Sequence, residues 1–157
     1  QIVSIAGGDI NIASSYEGIE AINIAIFDGV VSVTASDDGI NASGLNTGGQ
    51  DRESDTGERL EISGGTITVD AGFDGLDSNG TITVSGGDIT ITSAGNGGDS
   101  PLDANGEITV TGGTITANGS AYDPATANQG GPGGGGGMPG GGQMPGGGGG
   151  ARPGSSS

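Results

Sequence analysis

Apolar and polar residues alternate with a period of two in short runs, each broken near its middle by a pair of small or turn-forming residues, and the run recurs along the chain. The copies read VSIAGGDINIAS from Val3, INIAIFDGVVSVTAS from Ile22, LEISGGTITVDA from Leu60, ITVSGGDITITS from Ile82 and ITVTGGTITANG from Ile108. Each predicts two strands with one face inside and one wet. The second glycine of each break falls at Gly8, Gly29, Gly65, Gly87 and Gly113, at intervals of 21, 36, 22 and 26 residues. Repeats of that length predict stacked coils, each closing its neighbour's core.

The expected fold is therefore all-β, a right-handed parallel β-helix (β-solenoid) of about five coils over residues 1–129. Superposed coils place Ile10, Val31, Ile67, Ile89 and Ile115 in one interior column and Ile12, Val33, Val69, Ile91 and Ala117 in the next. The glycine pairs read as corners needing positive φ or close backbone approach. They would also suit type I′ hairpin turns, which leaves a β-sandwich as the alternative.

A second motif follows the second strand of each early repeat: Glu17-Gly-Ile-Glu20-Ala, Asp38-Gly-Ile-Asn41-Ala and Asp74-Gly-Leu-Asp77-Ser. A modified copy runs from Asp99 to Asp103, and the fifth repeat retains only Tyr122-Asp123-Pro124. Stacking would set Glu17, Asp38 and Asp74 in one ladder and Glu20, Asn41, Asp77 and Asp103 in another, about 4.8 Å apart per step. Asp37 adds a carboxylate at the same turn. Such ladders repel unless bridged, and Ca²⁺, which takes six to eight oxygen ligands, is the expected bridge. The competing reading makes each Asp-Gly an ordinary turn whose aspartate bonds locally. The metal candidates are Glu17, Glu20, Asp37, Asp38, Asn41, Asp74, Asp77, Asp99 and Asp103.

Composition sharpens this picture. Nineteen Asp and Glu face three arginines and no lysine or histidine. Nucleic acid is excluded as a partner, because phosphate binding needs clustered cations. No cysteine is present and no apolar run is long enough for a membrane-spanning helix. With strand pattern beginning at Ile2, the expectation is an extracellular protein, secreted or on the cell surface, whose signal has been removed.

Sixteen of the 39 glycines lie in residues 130–157, which read as an extended Gly/Pro-rich tail apart from the body. The long interval holds a polar insertion at about 45–59, LNTGGQDRESDTGER, expected as a surface loop. Asp51, Glu53, Asp55 and Glu58 could form a cation site there, or pair with Arg52 and Arg59. The spacing departs from an EF-hand, with Gly57 one place late and no distal glutamate.

Catalysis is not expected. No lysine or histidine is available as a base, and carboxylate pairs such as Asp37 with Asp38 or Asp74 with Asp77 arise by chance among so many acids. Thr-x-Thr runs such as Thr66/Thr68 and Thr90/Thr92 would suit an ice-binding face, but the first two repeats carry Asp9/Asn11 and Val30/Ser32 instead. Tyr16 and Phe73 align just before the acidic motif, where packing at the turn is their expected role.

SYEGIEA, ASDDGINAS and FDGLDSNGTITVSGGDITI together resemble the clostridial-type carbohydrate-binding β-helix family over roughly residues 2–120. The resemblance implies a secreted right-handed parallel β-helix with calcium between turns, associated with cellulose and pectin. By motif it points at Glu17, Glu20, Asp37, Asp38, Asn41, Asp74 and Asp77. With no capping helix in the pattern, the leading expectation is a calcium-stabilised fibre of copies stacked head to tail. The alternative is calcium-dependent binding of an acidic polysaccharide such as polygalacturonate, or of cellulose.

Overall fold

A computed structural model describes residues 1–44, 54–94 and 99–124. The tail at 130–157 and residues Asp51, Arg52 and Glu53 of the insertion lie outside the described residues. No helix among the described residues is long and apolar enough to cross a membrane.

The fold is all-β. Five long strands, β1 (Ile2–Ser15), β3 (Asn23–Ala35), β5 (Arg59–Ala71), β7 (Thr81–Thr92) and β9 (Ile108–Ala117), alternate along the chain with short ones. The short strands are β2 (Ile19–Ala21), β4 (Ile40–Ala42), β6 (Leu76–Ser78) and β8 (Leu102–Ala104), and β10 (Ser120–Ala121) ends the series. The long strands form one sheet in the order β1-β3-β5-β7-β9-β10, and the short ones form a second in the order β2-β4-β6-β8. Every pairing is parallel except that of β10 with β9.

The two aliphatic columns read from the sequence are the observed ones. Ile10 pairs with Val31, Val31 with Ile67, Ile67 with Ile89 and Ile89 with Ile115, and the column from Ile12 to Ala117 matches as closely. Ile24, Ile26, Leu60, Ile62, Ile82 and Val84 make parallel columns in the first halves of the strands, and Ile40 and Leu76 close the core from the short sheet. Burial is complete in β3, β5 and β7, which have a long strand on each side. Val3, Ile10 and Ile12 of β1 and Ile108 and Val110 of β9, at the sheet edges, are only partly buried.

The hairpin alternative does not hold, because the glycine pairs lie inside continuous long strands whose neighbours run parallel. The second glycine of each pair takes a positive φ there, and the pairing register shifts at these glycines in β5/β7 and β7/β9. Gly65 illustrates the requirement: its φ is +90°, and an added Cβ would stand 2.8 Å from the Gly29 carbonyl oxygen.

The polar insertion ends earlier than its composition suggests. Glu58 is fully buried and Arg59 opens β5. Thr56 donates its N–H to the Asn79 carbonyl and its hydroxyl to a Glu58 carboxylate oxygen, so the last residues before β5 belong to the stack.

Candidate functional site

The short strands were legible only as turns, yet they set the site. In Ile19-Glu20-Ala21 and its copies in β4 and β6 the first and third residues are buried, all apolar but Ser78, while the middle residue is the more exposed, apart from Asn41, which is itself buried. The middle positions pair in series, Glu20 with Asn41, Asn41 with Asp77, and Asp77 with Asp103, as the ladder requires.

The turn before each short strand is also in register. Gly18 donates its N–H to the Asp38 carbonyl, Gly39 to that of Asp74 and Gly75 to that of Ser100. Glu17, Asp38 and Asp74 are thereby aligned as expected, but the fourth rung is Ser100, not Asp99. Asp99 and Asp103 are four residues apart where the earlier pairs are three apart, and Pro101 takes the glycine position. Asp99 belongs to the neighbouring outer column, two residues before Pro101.

These turns are clamped from rung to rung. Asp38 Oδ1 accepts the Asp74 N–H at 3.0 Å, and Asp74 Oδ1 accepts the Ser100 N–H. The local-turn reading of the aspartates therefore has substance, but the bond crosses between repeats and does not close a turn within one. Asn41 joins the first two rungs, its Nδ2 reaching Asp38 Oδ2 at 3.1 Å and Glu17 Oε2 at 3.4 Å. The Asn41 side chain is 7% exposed and its Oδ1 is buried without a partner.

Beyond Asn41, one carboxylate oxygen from each of Asp74, Asp77 and Asp103 lies within 4.8 Å of the others. Two oxygens bound to one Ca²⁺ at about 2.4 Å can be no farther apart than about 4.8 Å, so this spacing fits a shared cation. Glu20 stands outside this group and accepts a hydrogen bond from the Ser43 hydroxyl at 2.9 Å. Asp37 is also outside it, facing Tyr16. The sequence reading overlooked Ser43 and Ser100; matching the motif copies by strand register is the signal that finds both.

The electrostatics follow from crowding acids at a half-buried turn. Burial pushes the Asp77 carboxyl up to about 8, with the charges of Asp38, Asp74 and Asp103 adding to it. Glu17 rises to about 7, through burial and then the Asp38 charge, against the hydrogen bond from Asn41. Asp74 rises to about 6 for the same first reason, against the bond from the Ser100 N–H. Asp38 and Asp103 are raised as well, mainly by burial.

Tyr16 and Phe73 do not pack at the turn as expected. They are 71% and 48% exposed.

No curated protein and no solved structure matches the chain. A family model described as a carbohydrate-binding domain-containing protein matches residues 1–98, which span β1 to β7 and three of the four rungs described above. The chain belongs to the carbohydrate-binding domain-containing family.

Proposed function

We propose that this chain is a non-catalytic, extracellular carbohydrate-binding module stabilised by Ca²⁺ in its acidic ladder. Family membership supports the carbohydrate. The observation that supports the cation is the convergence of Asp74, Asp77 and Asp103, with Asn41, whose buried side-chain oxygen has no hydrogen-bond partner, paired in register with Asp77. A divalent ion there would offset the mutual repulsion that raises these carboxyls, and those carboxylates with the Asn41 carbonyl would be its protein ligands. The alternation of long and short parallel strands supports a right-handed β-helix of about five coils, the hand that parallel crossovers adopt.

Retention on immobilised polysaccharide, measured with Ca²⁺ and with chelator, tests the reading. Retention that chelator weakens is the expected result, and absence of retention in both conditions would remove the carbohydrate function. Asp77→Asn separates the ion from the fold. Removing this charge is expected to raise the melting temperature in chelator at pH 8 by about 4–8 °C, the effect of about 1 kcal/mol. The same substitution should abolish most of the response to Ca²⁺; a variant that still responds like the parent would place the ion elsewhere.

Self-association is a second reading, favoured by β1, whose outer edge has no strand partner among the described residues. At the opposite edge, β10 covers only Thr116 and Ala117 of β9. Sedimentation that stays monomeric with and without Ca²⁺ would remove it.

A further inference from the structure

The outer column of the acidic turns carries a different chemistry from the ladder beside it. Asp37 donates its N–H to the Tyr16 carbonyl at 3.0 Å, and Phe73 donates its N–H to the Asp37 carbonyl at 3.2 Å. The three residues thus follow one another on successive rungs, and Asp99 holds the equivalent place in the next repeat. Aromatic and carboxylate side chains alternate along the stack. Both rings are exposed and not part of the core, and the Tyr16 hydroxyl is hydrogen-bonded to the Asp37 carboxylate on the next rung.

We infer that Tyr16 and Phe73 are paired stacking platforms for a neutral, β-linked glycan chain lying along the stack axis. This assignment rests on the carbohydrate-binding reading and specifies its ligand. Two rungs set the platforms about 10 Å apart, the length of two sugar rings in an extended β-1,4-linked chain. Successive rings of such a chain turn over, so the two that meet Tyr16 and Phe73 present the same C–H face. Each aromatic ring covers that apolar face, and the carboxylate between them accepts hydrogen bonds from hydroxyls of the intervening sugar. A uronate chain would instead bring its own carboxylates against Asp37 and Asp99 in a strongly anionic body.

Calorimetric titration of the whole chain in Ca²⁺ with cellohexaose, and separately with polygalacturonate, tests the assignment. Tyr16→Ala and Phe73→Ala are each expected to weaken cellohexaose binding by about tenfold or more, the loss typical of a buried aromatic contact. Tyr16→Phe and Phe73→Tyr should retain it, and all four variants should melt with the parent because the rings support no core. Alanine variants that bind cellohexaose like the parent would overturn the assignment. So would a parent that binds only polygalacturonate; the carbohydrate-binding reading would then survive without the platforms. A parent that binds neither would remove both.

Discussion

In chelator, the melting temperature is expected to fall as pH rises from about 4 to about 8, and saturating Ca²⁺ at pH 8 should restore it by on the order of 10 °C. Glu17, Asp74 and Asp77 have native carboxyls raised to about 7, about 6 and about 8. An unfolded chain returns them to about 4. Between those limits the native state holds protons that the unfolded state has released, so stability is greatest below about pH 4 and declines through the window. Ordinary salt-bridged carboxylates give the opposite slope.

A cation that binds only the folded ladder reverses the trend, because it favours the ionised carboxylates that repel one another without it. At one hundred times its dissociation constant such a ligand contributes about 2.7 kcal/mol. Circular-dichroism melts across pH, with Ca²⁺ or chelator, read both effects. A profile that rises with pH in chelator would mean that the acids are already compensated within the protein.

Gly75→Ala is expected to cost about 3 kcal/mol or more in urea unfolding. Its added Cβ would stand 2.2 Å from Ile91 Cγ2 and 2.6 Å from the Pro101 carbonyl oxygen, which accepts the Leu76 N–H at 2.9 Å. Neither neighbour can withdraw cheaply. Ile91 is in the core column, and moving Pro101 would break the bond that holds β6 beside β8. Gly57→Ala provides the comparison: φ is +96° there but no atom lies within 4 Å of the added carbon, so about 1–2 kcal/mol of backbone strain is expected. Gly75 itself is not among the glycines with positive φ, so a cost there no larger than at Gly57 would show that contact with the core does not select glycine in the acid-glycine motif.

The interior columns were legible because a period of two leaves no choice of face once the repeats are aligned, and Val31, Ile67 and Ile89 fall where that alignment puts them. The ladder was legible in outline for the same reason. What alignment by composition missed was register within the turns. It opened the modified fourth copy at Asp99 and counted that acid among the metal candidates, whereas the backbone matches Ser100, the residue before Pro101, to Asp74.

Glu58 was hidden by its neighbours, since a polar run without alternation gives no sign that one of its carboxylates is enclosed. Tyr16 and Phe73 were assigned to packing because aromatics usually pack, and only their exposure separates a surface platform from a core residue.

Asn41 and Asp77 are neighbours in the second sheet although 36 residues separate them, whereas 21 separate Glu20 from Asn41 and 26 separate Asp77 from Asp103. Chain length and strand register are thus uncoupled between β4 and β6: Ile40–Ala42 pairs with Leu76–Ser78 in the same step as the pairs before and after it, whatever the length of chain between them.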